Sequence, residues 1–566
     1  MDATKPAVSD RPVFGFRGEY VLIALLGALI ACIVILSCVP PVSKDALVHH
    51  LAVPKLYLKH GGLYEIPSMT FSYYPMNLDL LYMLPLYFGN DMVPKFIHFA
   101  FALLTAWLVF GYLKRRTPRA FALFGALFFL SIPIVVKLSI TAYVDLGVVF
   151  FSTASLLLVL RWVETGFRFR FLALSGIMCG LAMGTKYNGL IVFFLLTLAV
   201  SLLFSTCARG KKPGFLQSAA QGLVFVSIAL LVFSPWMVRN YHWKRNPIYP
   251  LFDSHFNAPS CSVSEDKQLL DTGLNAGLGV LVIRKALYNE GWWEIALVPV
   301  RVFFQGRDGS PKYFDGKLNP FLLFLPILAF YRIREDSRDL QTEKKVMLAF
   351  AILFFAFAFF SSDLRIRYFS PVVPPLVILS VLGVHKIVNK MTSAPPRTVQ
   401  RLGLAFIFLI SASALAYNVS YVIGEFSSVR PFEYLGGHLD RHDYISRYRP
   451  EYPAIRYMNE RLPPDSLTLF IFLGNRGYYF ERDYQFGEGL FSTVIANSQT
   501  AEEVLERLRA MGVTHLFIYY DIFESWLQNN SFFGKKCIID NFMSNYVKVI
   551  YYKNGFVVLK LLILLS

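Results

Sequence analysis

Residues 20–40 read YVLIALLGALIACIVILSCVP, twenty-one positions without a single charge. A bilayer core takes about 20 apolar residues in a helix, so this run is long enough to cross one. It lacks a small-residue cleavage signature and therefore reads as a retained helix, not a removed signal peptide. Ten further apolar stretches follow, at about 92–113, 119–137, 145–162, 171–185, 188–206, 217–237, 319–331, 346–361, 370–385 and 402–421. Several are shorter than a full span and are expected to be tilted or surrounded by neighbouring helices. The fold class is then an all-α polytopic membrane protein of about eleven transmembrane helices, carrying a small C-terminal α/β soluble domain.

Composition supports this. The chain has 566 residues, 55% hydrophobic and only 16% charged, with 53 Phe and 31 Tyr. Soluble domains are about one quarter charged, and a bilayer excludes charge more strongly than it rewards apolar surface. The formal charge of +17 does not indicate nucleic acid, because much of it lies in short clusters between apolar segments. The six cysteines have no CxxC spacing, and four lie in or beside apolar runs, which points to neither a zinc site nor a disulfide framework.

The basic clusters orient the spans. They are Lys114, Arg115, Arg116 and Arg119; Arg161, Arg168 and Arg170; Arg209, Lys211 and Lys212; Arg332, Arg334, Arg338, Lys344 and Lys345; and Lys386, Lys390, Arg397 and Arg401. With residues 1–19 cytoplasmic and eleven crossings, all five fall on the cytoplasmic side, whereas one span more or fewer flips the later ones outward. A transmembrane unit over 20–424 then presents large extracytoplasmic loops at 41–91 and 239–319. A domain over 425–566 lies on the same outer face. For this domain the sequence predicts a helix near 453–461 and strands at 466–473 and 514–520. It also predicts a helix over 500–511 and a hairpin pairing 546–552 with 556–564 through Lys553-Asn554-Gly555. Gly474-Asn475-Arg476-Gly477 follows the first strand and, without a GxGxxG or P-loop pattern, reads as a turn.

The outer face carries the chemistry-bearing segments: KDALVHHLAVPKLY (44–57), TAYVDL (141–146), GLAMGTKY (180–187), SPWMVRN (234–240) with NPIYP (246–250), and RIRYFSP (365–371). Taken in this order, the set resembles bacterial GT-C glycosyltransferases of the group that includes protein O-mannosyltransferases and the aminoarabinose transferase of lipid A. The resemblance covers roughly residues 15–425. It implies a polyprenyl-phosphate-linked sugar donor, transfer on the outer face of the bacterial inner membrane, and a lipid, glycan or protein acceptor. It implies no cofactor. The second acid that some mannosyl enzymes carry beside the first is absent, because Ala46 follows Asp45, and this leaves donor and acceptor open.

Sugar transfer from a lipid phosphate needs a base for the acceptor hydroxyl and cations for the departing phosphate. The resemblance makes Asp45 the catalytic base; a helix-end carboxylate balancing Lys44 is the competing reading. Asp145 is the second candidate acid, against a carboxylate stabilised by the helix N-terminus. Lys186, Arg239, Arg365 and Arg367 are candidate ligands of the carrier phosphate, against cations snorkelling to lipid head groups. Arg365 and Arg367, two apart, face the same way if the segment is extended. His49, Lys55, Tyr143 and Tyr368 are further candidate substrate contacts. His49 and His50 are adjacent, point about 100° apart on an α-helix and would not share a metal. Two separated aspartates without a DxD pattern do not favour a metal site. Tyr73, Tyr74, Trp292 and Trp293 suit sugar stacking and interfacial anchoring equally. The competing functions are a non-catalytic subunit of an envelope-glycan or secretion machine, a lipid-linked glycan transporter, and an oligosaccharide ligase or polymerase.

Overall fold

The computed structural model describes residues 16–208, 213–257, 279–361, 364–393, 396–529 and 534–562. Each of the eleven apolar stretches coincides with helix. The first seven correspond to α1 (Phe16–Ser37), then, after short helices α2 (Ala52–His60) and α3 (Asn77–Tyr87), to α4 (Val93–Lys114), the pair α5 (Arg119–Ser131) and α6 (Pro133–Ser139), α7 (Asp145–Glu164), α8 (Phe169–Thr185), α9 (Gly189–Cys207) and α10 (Phe215–Lys244). The last four are α11 (Phe321–Leu328), α12 (Arg338–Ser361), α13 (Val373–Ser393) and α14 (Arg397–Val429). Among the described residues seven helices are long and apolar enough to cross a membrane, or eight with α5 and α6 as one span.

That third stretch is not one straight helix. α5 and α6 meet at 65°, because Pro133 has no N–H to give and holds Ile132 extended, at ψ 131°. The expected span at 319–331 shrinks to the eight residues of α11. α14 runs to Val429, past the expected boundary at 424, and is 33 residues long.

Glycines set the closest helix approach. Gly176, Gly180 and Gly184 recur every fourth residue and so line one face of α8. A Cβ on Gly180 would lie 2.6 Å from the carbonyl oxygen of Ala229 in α10, and one on Gly184 would lie 2.4 Å from Nδ2 of Asn77. Small residues in such rows let backbones pack without side-chain bulk, which matters where lipid supplies no hydrophobic driving force.

Residues expected on a common face meet in space. At one end Arg116 pairs with Glu343 at 2.5 Å, Lys344 and Lys386 share Asp336, and Arg119 lies 3.7 Å from Glu19 at the start of α1. The cluster at Arg209–Lys212 lies outside the described residues. At the other end sit the loops and the C-terminal domain.

The C-terminal domain is a five-stranded mixed sheet with β1 (Leu467–Ile471), β2 (Asp483–Phe486), β3 (His515–Tyr519), β4 (Val547–Lys553) and β5 (Phe556–Leu561) in the order β2-β1-β3-β5-β4. β1 is parallel to β2 and β3, and β5 is antiparallel to β3 and β4. Alternate residues bury opposite faces. Leu469, Ile471, Leu516 and Ile518 pack under the helices at 488–496, 501–510 and 536–545, whereas Phe470 and Phe517 pack under Tyr452–Arg461. The expected strands and hairpin are present. β2 was not expected, since DYQF is a partly exposed edge strand whose polar–aromatic alternation spans only four residues.

Candidate functional site

The chain leaves α1 at Ser37 and turns at Asp45 into a five-residue π-helix, Ala46–His50, before α2. Asp45 is therefore held at the mouth of a short helix, with 20% of its side chain exposed. Its carboxylate accepts from Nη1 of Arg367 at 2.6 Å. Burial alone would raise the carboxyl's pKa; the Arg367 guanidinium beside it outweighs this and holds it well below the usual carboxylate range. Asp45 is thus an ionised acceptor. Arg367 donates from Nη2 to the Tyr368 hydroxyl at 3.3 Å and lies 5.1 Å from the ring centres of Tyr143 and Tyr368. Its Nε is buried and has no hydrogen-bond partner among the described residues.

A second carboxylate–cation pair stands beside the first. Asp145 is the first residue of α7, and its Oδ1 accepts from Lys186 at 2.7 Å. Lys186 caps α8 in extended conformation, which turns its side chain out of the helix and over the Tyr368 ring at 5.0 Å. The other oxygen of Asp145 is buried and has no partner among the described residues. Four groups from four chain segments (Asp45, Asp145, Lys186 and Arg367) are thereby gathered around Tyr143 and Tyr368.

Beneath them His50 Nδ1 and Asp79 Oδ1 are 2.7 Å apart, both buried. Burial pushes the Asp79 carboxyl up to about 7, while burial and then Lys186 push His50 down to about 3. Between about pH 3 and pH 7 the proton of the pair therefore rests on Asp79 and His50 is neutral. The sequence reading missed Asp79. Its signal was present, a lone carboxylate between Leu78 and Leu80 in an apolar segment. His49 stacks on Phe71 at 4.4 Å and burial keeps it neutral. The π-turn brings the two imidazoles to 4.0 Å, closer than the 100° divergence of an α-helix suggests. Among the described residues, no three His, Cys, Asp or Glu side chains converge as metal ligands.

The remaining predicted residues are placed elsewhere. Arg365 and Arg367 do not face the same way. Arg365 is extended, but a 3-10 turn begins at Ile366, so Arg367 swings to Asp45 while Arg365 lies 3.5 Å from Asp315. Arg239 sits between Trp236 and Trp243 and donates to the carbonyl oxygens of Tyr73 and Tyr74 and to Asn240. It fastens loop 70–74 to α10, and its Nη1 has no partner among the described residues. Lys55 turns away from the cluster, donating to the carbonyls of Tyr478 and Phe480 and pairing with Glu481 at 2.8 Å. Arg441 pairs with Asp91, the Tyr479 hydroxyl donates to Pro41 O, and the Tyr478 N–H donates to Leu47 O inside the π-helix. The C-terminal domain thus braces the segment that presents Asp45, an arrangement no local sequence pattern reveals. Trp292 and Trp293 are 64% and 68% exposed, whereas Tyr73 is buried.

Comparison with known proteins agrees with this architecture. Residues 83–238 match the family model described as dolichyl-phosphate-mannose-protein mannosyltransferase. ArnT from Cupriavidus metallidurans superposes with a TM-score of 0.55 at 15% identity, covering 95% of this chain and 97% of that one. The same enzyme bound to undecaprenyl phosphate also gives 0.55, at 14% identity over 96% and 98%. The archaeal oligosaccharyltransferase AglB from Archaeoglobus fulgidus, in complex with an inhibitory peptide and a dolichol-phosphate, gives 0.51 at 13% identity over 96% of this chain and 74% of that one. No curated protein sequence matches. The chain has the GT-C fold, in the form seen in ArnT.

Proposed function

We propose that the protein is an integral membrane glycosyltransferase that moves a sugar from a polyprenyl-phosphate donor to a lipid, glycan or protein acceptor at the extracytoplasmic face. The observation that carries this reading is the guanidinium of Arg367, which holds Asp45 on one nitrogen and keeps a buried Nε–H without an acceptor among the described residues. An unmet buried donor is costly, and a phosphate oxygen is the acceptor that suits an arginine edge. The matching family is described by a dolichyl-phosphate-linked mannose donor, and ArnT and AglB each hold a polyprenyl phosphate. The ionised Asp45 accepts the acceptor's proton as its oxygen bonds to the anomeric carbon. The carbon–oxygen bond to the phosphate breaks with its electrons, and Arg367 and Lys186 hold the resulting charge. Asp145 positions Lys186. Arg239 and Arg365 serve the walls of the site.

Binding of the carrier tests this reading. In native mass spectrometry of the nanodisc-embedded protein, undecaprenyl phosphate is expected to remain bound where undecaprenol does not. Equal retention of the two would contradict it.

We further propose that the protein lies in a bacterial inner membrane, with the domain after residue 425 outside the cytoplasm. Reporter fusions at Lys212 and Ser566 are expected to score on opposite sides. Finding both on one side would overturn the eleven-crossing topology.

A further inference from the structure

Apart from the Asp45 cluster, the outer face holds an open cleft of about 250 Å³ between the end of α14 and the segment that precedes α11. Its shape follows from two rows on one helix. Ser420, Gly424 and Ser428, four apart, form a row of small residues that leaves space. Tyr417, Tyr421 and Glu425, also four apart, form a polar row beside it. Asp308 and Lys317 close the opposite wall. The Tyr421 hydroxyl donates to Asp308 at 2.8 Å and also hydrogen-bonds Glu425. A Cβ added at Gly424 would meet nothing within 4 Å, so this position faces the empty space.

The lining selects the chemistry of an occupant. Lys137 already pairs with Asp308 at 2.8 Å, and burial and then Asp308 push the Glu425 carboxyl up against the opposing pull of Tyr421, Lys137 and Lys317, so a free cation finds no unpaired, fully charged carboxylate here and gains little. Two ammonium groups stand against two carboxyl groups, Lys137 and Lys317 against Asp308 and Glu425, so phosphate gains no net attraction either. What remains is a neutral ligand rich in donors, for which carboxylate oxygens and tyrosine hydroxyls are acceptors and tyrosine faces are packing surfaces. The volume lies below the ~300–1,000 Å³ of drug-sized sites and suits one monosaccharide, not a chain.

Location points the same way. The 33-residue α14 is about 50 Å long against a hydrocarbon core of ~30 Å, so an end of it emerges among the head groups. Leu409, Val419 and Ile423 are more than half exposed on the same helix, which places lipid beside it. From Asp308 the contacts run through Lys137 to Asp315 at 3.2 Å and on to Arg365, two residues from Arg367.

We propose that this cleft is a sugar-binding subsite that seats one neutral, hydroxyl-rich unit of an acceptor glycan, whether lipid-borne or free. The proposal rests on the glycosyltransferase reading for the word acceptor, but its test needs no turnover. The full chain, purified without glycosidic detergents and embedded in phosphatidylcholine nanodiscs, is examined by saturation-transfer NMR. The probes are methyl glycosides of glucose, mannose, galactose and N-acetylglucosamine, with their octyl counterparts. At least one methyl or octyl glycoside is expected to bind. Glu425→Gln should weaken it roughly tenfold, as loss of one hydrogen bond to a charged group implies. Gly424→Leu, which fills the cleft from a position with room for a side chain, should abolish it. Asp45→Asn should leave it unchanged, which separates this subsite from the reacting centre. Response to the methyl series identifies a free glycan, and response to the octyl series alone identifies a glycolipid head group. If no probe binds, or if both cleft variants bind as the wild type does, the subsite does not exist, whatever the outcome for transfer.

Discussion

Asp45→Asn is expected to reduce sugar transfer by about 10²–10⁴-fold, the usual contribution of a general base. The substitution keeps the side chain's shape and its place at the start of the π-helix but removes the anion that takes the proton. It also frees Arg367, whose Nη1 loses its 2.6 Å carboxylate partner. Donor affinity should therefore hold or improve while kcat collapses, a split that simple misfolding does not produce. Wild-type turnover in Asp45→Asn would exclude it as the base and leave Asp145 as the remaining carboxylate in the cluster.

Lys186→Ala is the second large expected effect. A lost charge-assisted contact to phosphate costs about 1.5–3 kcal/mol, or roughly ten- to more than a hundredfold in kcat/KM. Lys186 also neutralises Asp145, whose side chain is only 3% exposed, so the single variant leaves a buried charge without its partner and loses stability as well. Pairing the change with Asp145→Asn separates the two effects. The double variant should recover folded protein, and its transfer should remain low because the phosphate still lacks its cation. Recovery of both would make Lys186 a structural counterion with no role toward the donor.

The parts of this protein that were legible in sequence are those written in local patterns. Apolar runs marked the helices, and the basic clusters sorted their ends well enough that Arg116, Glu343 and Glu164 do meet at one end. Apolar runs of strand length marked β1 and β3, and Asn554-Gly555 marked the hairpin of β4 and β5. What stayed hidden depends on groups far apart in sequence. Nothing near Arg365 and Arg367 tells that one reaches Asp315 and the other Asp45; a 3-10 turn starting between them decides it. Lys55 looks like a site residue from its motif, yet its acceptors lie more than 400 residues away. Asp79 was passed over because its importance comes from His50, which only folding brings to it. β2 was invisible because the alternation of Tyr484 and Phe486 with Asp483 and Gln485 is only four residues long.

The chemistry attributed to Asp45 is a single displacement. A carboxylate that accepts the proton and never bonds to the sugar allows attack only from the face opposite the departing phosphate. The most direct measurement is therefore the anomeric configuration of the product made by the purified protein from a polyprenyl-phosphate sugar of known configuration. It is read by NMR, with released prenyl phosphate quantified alongside. The expected result is an inverted anomeric centre and one prenyl phosphate for each bond formed. A product of retained configuration would require a glycosyl-enzyme intermediate, as on the nucleophilic carboxylates of retaining glycosidases. That result would contradict the role assigned to Asp45.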